Sequence, residues 1–242
     1  MKTTGNTIFM TGGTSGIGLE LARRFRDLGN TVIISGRRKD LLDRIAAEDG
    51  IQGVVLDVAD PAALEAVAAA HPDVNVLITM AGIMRAEDLH TPDLAVAEET
   101  IAINLLGTIR AIAAFTPQLR TRPDAAIVTV SSGLAFVPLA ITPTYNATKA
   151  AVHSYTQSLR IQLADTGIQV VELVPPAVQT NLMNGAAPDP TWMPLAEYAD
   201  ESITLFQQHP EAEEILVDRV HFLRSAEREN RHAQAVAALN TH

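Results

Sequence analysis

The sequence predicts an α/β fold: a doubly wound parallel sheet of about seven strands with helices on both faces, built as one domain over residues 1–242. Three observations lead there. Short apolar runs alternate with segments of helical periodicity along most of the chain, the pattern of parallel βαβ units. A glycine-rich turn joins the first run to the first helical segment. The composition is 47% hydrophobic but only 4% aromatic, so the core must be built from Ala, Val, Leu and Ile, as in a buried parallel sheet and its covering helices. At 242 residues the chain suits one large core and is short for two domains.

The elements follow in order. Thr7 to Thr11 reads as the first strand and Ile17 to Leu28 as the first helix. Thr31 to Ser35 is the second strand, followed by a helix from Asp40 to Glu48. Gly53 to Leu56 is the third, and the alanine-rich Pro61 to Ala70 is a helix with proline in its first turn. Val74 to Thr79 forms the fourth strand, Leu94 to Leu119 a long helix, and Ala125 to Val130 the fifth strand. Thr144 to Asp165 is a second long helix, stopped by Gly167 before the strand Ile168 to Val174. Residues 181–200, with Pro188, Pro190, Trp192 and Pro194, read as a loop with at most short helices, and residues 181–210 as the substrate loop or lid. Ile203 to Gln208 is helical, Glu214 to Asp218 a last strand, and His221 to Leu239 one polar helix.

Charge and composition exclude several functions. The formal net charge is −10, and a surface that acidic repels nucleic acid and anionic lipid. The chain has no cysteine, which removes disulfides and thiolate sites. Histidines 71, 90, 153, 209, 221, 232 and 242 never pair at three- or four-residue spacing, so no metal site is expected. No signal pattern and no apolar stretch of about 18 residues are read, which predicts a cytoplasmic protein without a membrane partner.

The turn Thr11-Gly12-Gly13-Thr14-Ser15-Gly16-Ile17-Gly18 sits between first strand and first helix. Glycine there allows a sharp turn, close approach of backbone N–H groups to a pyrophosphate, and tight packing of helix on sheet. The helix N-terminus adds partial positive charge. Such turns also arise for steric reasons alone, but the first βα unit of a doubly wound pattern is where a dinucleotide binds. The second strand runs into Ser35-Gly36-Arg37-Arg38-Lys39 and offers no carboxylate for a ribose 2′-hydroxyl. Cations at a helix start oppose its dipole, whereas a 2′-phosphate neutralises them and a guanidinium binds it with two hydrogen bonds. The expected cofactor is therefore NADP(H) rather than NAD(H), with Arg37 as the main contact and Arg38 beside it.

Tyr145-Asn146-Ala147-Thr148-Lys149 opens the long helix after the fifth strand. A spacing of four puts Tyr145 and Lys149 on one helical face, where an ammonium moves a phenol's pKa toward the working range. The fifth strand ends Val128-Thr129-Val130-Ser131-Ser132, at the carboxyl edge where open α/β sheets bind ligands. Ser132, thirteen residues before Tyr145, is chosen over Ser131 on spacing, and its hydroxyl can stabilise developing charge on a substrate oxygen.

Together these features resemble the short-chain dehydrogenase/reductase family over nearly the whole chain. The Thr-Gly-x-x-x-Gly-x-Gly loop is matched by Thr11, Gly12, Gly16 and Gly18, the adenine-flanking pair by Asp57-Val58, the mid-helix asparagine by Asn104, and the catalytic positions by Ser132, Tyr145 and Lys149. The resemblance implies a Rossmann-like fold and hydride transfer between NADP(H) and a carbonyl or secondary alcohol. Tyr145 is then the general acid and base, Lys149 lowers its pKa and binds the nicotinamide ribose, Ser132 polarises the substrate oxygen, and Asn104 holds a water that links Lys149 to solvent. Cofactor contacts are implied at Gly12, Thr14, Ser15, Gly16, Ile17, Gly18, Arg37, Arg38, Asp57, Val58, Ala81, Gly82, Tyr145, Lys149, Pro175, Val178 and Thr180. Two positions depart from the pattern: Thr79-Met80-Ala81-Gly82 replaces the family's Asn-Asn-Ala-Gly, and Pro175-Pro176 its Pro-Gly. Residues 131–139, Pro175-Pro176 and the tail also resemble the bacterial branch named after the D-alanine/lipoteichoic acid operon.

Met84, Leu134, Phe136, Val137, Leu182, Met183, Trp192 and Met193 are candidate pocket residues for an apolar small molecule, or else core beneath the loop. The resemblance implies pairing through the two long helices into a homodimer or homotetramer. Two alternatives stay open: a non-catalytic NADP(H)-binding sensor or scaffold, and an epimerase or dehydratase that uses the cofactor transiently.

Overall fold

The computed structural model describes residues 1–183 and 189–241. Residues 184–188, which include Pro188 of the expected substrate loop, and His242 lie outside the described residues. Every strand predicted from an apolar run forms. β1 (Thr7–Thr11), β2 (Thr31–Gly36), β3 (Gln52–Val55), β4 (Val76–Thr79), β5 (Ala126–Val130), β6 (Gln169–Leu173) and β7 (Glu214–Ile215) make one sheet. Its order is β3-β2-β1-β4-β5-β6-β7, and every pairing is parallel. The chain reverses its direction of travel across the sheet between β1 and β4, so a crevice opens at their carboxyl ends.

Helices α1 (Gly16–Asp27), α2 (Lys39–Asp49) and α7 (Leu195–Gln208) cover one face. On the other lie α3 (Pro61–Ala70), α4 (Leu94–Thr100), α5 (Gly107–Leu119) and α6 (Pro143–Gln162). The sheet is buried from both sides, and alternate strand residues feed the two cores: Ile8 and Met10 pack under α1, Phe9 against Phe115 of α5. At the amino end of the sheet, the buried Asn6 and Asn30 bond each other, and Asn75 joins Asn6. Their amides satisfy backbone groups where the chain enters the strands.

Five expectations change. The long helix at Leu94 to Leu119 is interrupted by a π-helical segment over Ile101–Leu106. That whole stretch is long and apolar enough to cross a bilayer by length and composition, contrary to the sequence reading. Here it packs on α3, β4, β5 and α6 as a crossover of the sheet. The expected short helix at Ile203 begins eight residues earlier, at Leu195, and buries Tyr198, Ile203 and Phe206. Phe206 meets Phe25 of α1 edge-on, so one face of this helix packs into the core beside α1. The last strand is only two residues long, Glu214–Ile215. The predicted helix from His221 to Leu239 divides into α8 (His221–Arg224) and α9 (His232–Asn240), broken where Asn230 takes φ 56°.

Candidate active site

The glycine loop crosses the carboxyl end of β1. Gly12 has φ 73°, and a Cβ there would lie 2.5 Å from the Ala81 Cα, so only glycine lets this turn touch the loop after β4. A Cβ on Gly18 would stand 2.6 Å from the Gly12 carbonyl oxygen, which lets α1 start tight against the turn. Met80 lies on the other side of Gly18 and seals the space with its thioether chain. Thr11 ties the loop after β4 to β1, its hydroxyl accepting the Ala81 N–H at 3.1 Å. Ser15 begins α1 without a side-chain cap, and the first turn holds no acidic residue. The amides of that turn therefore face the crevice ready for an anion.

The other predicted cofactor positions gather around this loop. Thr14 packs against Gly36 at the end of β2, and Thr180 lies against Gly16. Arg37 and Arg38 are exposed and make no ion pair with the described residues, whereas Lys39 pairs with Asp43. Asp57 turns its carboxylate to the Ala59 N–H, and Val58 is buried against Gly107. Pro175 is buried and accepts the Gly133 N–H, and Val178 bridges to Met193.

Tyr145, Lys149 and Ser132 converge across the crevice from Gly82. Tyr145 and Lys149 are buried on one face of α6, with the ammonium 5.7 Å from the phenol ring centre. Lys149 Nζ donates to the Val130 carbonyl at 2.8 Å, which pins the ammonium to β5. Ser132 caps the short turn Gly133–Ala135, its Oγ accepting the Leu134 N–H at 3.1 Å. Burial pushes the Tyr145 phenol up to about 12, partly offset by its hydrogen bond with Ser132. The shift is upward, opposite to the lowering expected from Lys149, and the group that acts against burial is Ser132. Burial also pushes the Lys149 ammonium down to about 8, with the Glu172 carboxylate acting against that shift.

Asn104 lies in the π segment and is fully buried. Its amide pairs with the Ile83 backbone in both directions, accepting the N–H at 2.8 Å and donating to the carbonyl at 2.9 Å. The side chain thus braces the chain beside Gly82, while the backbone carbonyl of Asn104 accepts the Thr108 hydroxyl. A π segment at a functional position recurs because it redirects a side chain without ending the helix.

The candidate pocket residues divide. Val137 and Met193 are fully buried and serve the core. Phe136 is held between Arg224 and His153. Leu134 lines an open groove of about 360 Å³ with Leu139, Asn146 and Ala150, and Met84 is buried. Leu182 is exposed and Met183 half-buried, next to residues outside those described; Trp192 is half-buried.

Two features escaped the sequence. Glu87, from the loop after β4, accepts the Thr144 N–H at 3.0 Å and the Thr144 hydroxyl at 2.7 Å, capping the helix that carries Tyr145. His153 Nδ1 donates to the buried Glu172 at 2.8 Å, with Glu214 close enough that the three donor sets lie within 4.8 Å of one another. Glu214 is taken by the Arg224 guanidinium, which supplies the cation there. Histidine spacing could not reveal this cluster, because its members come from three elements.

Comparison with known proteins agrees with this geometry. The short chain dehydrogenase family model matches residues 6–191. The "Uncharacterized oxidoreductase DltE" of Bacillus subtilis (strain 168) is 46% identical over 189 residues, 75% of this chain and 75% of that protein. A short chain dehydrogenase of Burkholderia cenocepacia J2315 in complex with NADP superposes with a TM-score of 0.87 over 100% of both chains, at 24% identity. A short-chain dehydrogenase of Sphingobium yanoikuyae in complex with NADPH superposes with a TM-score of 0.79 over 95% of each, at 26% identity. With the sheet order, the glycine turn and the Ser132–Tyr145–Lys149 grouping already in hand, the chain belongs to the short-chain dehydrogenase family of oxidoreductases.

Proposed function

We propose that the protein is an NADP(H)-dependent oxidoreductase acting on the carbonyl or secondary alcohol of a small, predominantly apolar molecule. The observation that carries this reading is the meeting of Ser132, Tyr145 and Lys149 beside Gly82 and the glycine turn. A Cβ on Gly82 would lie 3.3 Å from Asn104 Oδ1 and 3.8 Å from Lys149 Nζ, so the missing side chain leaves a flat cradle next to the reacting groups.

The residues fit a dinucleotide. The pyrophosphate suits the α1 amides of Gly16, Ile17 and Gly18, with the uncapped Ser15 and with Gly12 and Thr14 in the turn. Arg37 and Arg38, which form no ion pair with the described residues, suit a 2′-phosphate, and NADP and NADPH in the two structural relatives support the same choice. Asp57 and Val58 would flank the adenine; Ala81, Pro175, Val178 and Thr180 would line the nicotinamide side, and Lys149 would hold its ribose. Bound NADPH supplies the hydride.

In reduction, Tyr145 donates its phenolic proton to the carbonyl oxygen; in oxidation it takes that proton back. Ser132 Oγ accepts the Leu134 N–H and is hydrogen-bonded to the Tyr145 phenol, so both hydroxyls would meet the same substrate oxygen. Lys149, titrating near 8, is mostly charged at neutral pH and steadies the phenolate.

The test follows oxidation of NADPH and NADH with a panel of apolar ketones, aldehydes and diketones. NADPH-linked turnover should fall by roughly 10²–10⁴-fold in Tyr145→Phe. Arg37→Ala should cut the NADPH-over-NADH preference by about 10–100-fold, the worth of a charged hydrogen-bonded pair. Tight NADPH binding without turnover on any substrate would point to the sensor alternative.

A further inference from the structure

The segment that carries Ser132 is held from the C-terminal side, by residues beyond the 6–191 family match. α8 packs so closely on Gly133 that a Cβ there would stand 2.7 Å from Leu223 Cδ1. The turn after Ser132 is one hydrogen-bonded unit: Ala135 N–H donates to the Ser132 carbonyl, and Phe136 N–H to the Gly133 carbonyl. The Phe136 backbone is thus tied through this turn to Ser132. The Phe136 ring lies between two side chains. On one side the Arg224 guanidinium carbon stands 4.4 Å from the ring centre. On the other His153 meets the ring edge-on, with centroids 4.7 Å apart at 71°.

Both neighbours are anchored. Arg224 holds Glu214 at the sheet edge through Nε at 3.1 Å and Nη2 at 2.8 and 2.9 Å. Both side chains are about three-quarters buried, at 24% and 22% exposure, so solvent screens this pair far less than a surface one. His153 donates to Glu172, which is fully buried and pairs in register with Thr129, one residue before the Val130 carbonyl that holds Lys149. His153 also lies one helical turn beyond Lys149 on α6. The chain of contacts thus runs from β7 through α8 and the Ser132 turn to the catalytic helix.

We propose that Arg224 is a positioning residue: fixed by Glu214, its guanidinium clamps Phe136 against His153 and so sets the Ser132 hydroxyl over the reacting oxygen. The proposal rests on the oxidoreductase reading above. A misplacement of about 1 Å at a reacting group can cost about 10²-fold in rate, so the clamp should show in kcat before it shows in folding.

The experiment compares the wild type with Arg224→Met, Arg224→Lys and Phe136→Leu, using the carbonyl of the panel that the wild type reduces fastest. NADPH affinity is read by nucleotide fluorescence, and backbone hydrogen exchange by peptides covering residues 131–142. Arg224→Met keeps the apolar stem and loses the fork; kcat should fall about 10–100-fold, with NADPH affinity within about twofold. Exchange should quicken in the 131–142 peptides and stay unchanged in β1 and α1. Arg224→Lys, which keeps a cation but cannot hold Glu214 bidentately, should fall between. Combining Arg224→Met with Phe136→Leu should cost no more than the worse single change, because both break one clamp. Unchanged kcat, a fall that tracks NADPH affinity, or quickened exchange across the whole sheet would each overturn the proposal while leaving the oxidoreductase reading intact. A wild type that reduces no carbonyl overturns that reading and this proposal with it.

Discussion

Lys149 shows how a single residue sets function against stability. A lysine in water titrates near 10.4, and burial pushes this one down to about 8. Below pH 8 both folded and unfolded chains hold the proton, and the folded state bears the full cost of an enclosed charge, about 3 kcal/mol. Between about 8 and 10.5 the unfolded chain still holds a proton that the folded chain has released, so stability rises with pH across that window. Tyr145 acts in the opposite sense. Pushed up to about 12, it keeps its proton after the unfolded chain has lost one near 10, and its contribution is lost as pH climbs toward 12. Lys149→Met should therefore be more stable than the wild type in urea unfolding at pH 7, by up to about 3 kcal/mol, with the gap closing by pH 10. The same variant should lose carbonyl reduction. A wild type more stable than the variant at pH 7 would mean that the Val130 carbonyl and Glu172 outweigh the burial cost.

At the scale of elements, what was legible in the sequence is what is local. The glycine turn and the Tyr145–Lys149 face are each written within eight residues, so spacing alone locates them. The π segment was invisible, because nothing local demands it: it forms where Asn104 must reach both backbone groups of Ile83, 21 residues away. The start of α7 was missed because Pro188, Pro190 and Pro194 read as loop. Pro194 in fact enters the helix, and the burial of Tyr198 and Phe206 carries it. The cap of α6 was likewise hidden: Thr142 at the N-cap makes no side-chain cap bond, and Glu87 reaches the first turn from 57 residues upstream. A carboxylate at that end also favours the helix dipole. Glu87→Ala should cost about 1 kcal/mol of stability, the usual worth of an N-cap. It should also lower kcat several-fold, because Tyr145 is the next residue after Thr144. Glu87→Gln keeps one acceptor oxygen and should recover most of the stability. Equal thermal midpoints for Glu87→Ala and wild type would show that the cap adds nothing to the helix.

On the scale of the whole molecule, the two faces of the sheet differ in how completely they are finished. The face under α1, α2 and α7 is closed by ion pairs between helices: Arg23 and Arg26 hold Asp49, and Arg24 holds Asp200. The outer surface of the other face is apolar and open. Leu94, Ile101, Leu106 and Ile161 are exposed along α4, the π segment and α6, and a groove of about 400 Å³ runs beside Ile101, Leu105 and Ala147. Exposed apolar side chains of this size beside an apolar groove are a feature of surfaces that meet a partner. We propose that the chain forms a homo-oligomer and that it does so here, with these helices packing against their copies about a two-fold axis. The same helices carry Asn104, Tyr145 and Lys149, so covering their outer face would stiffen all three. Ile101→Glu places a charge in the middle of that surface, where burying it unpaired costs several kcal/mol. In light scattering coupled to size exclusion, the wild type should elute as a dimer or tetramer and Ile101→Glu at half its mass or less. A wild-type monomer, or a variant of unchanged mass, would assign this apolar face to some other contact.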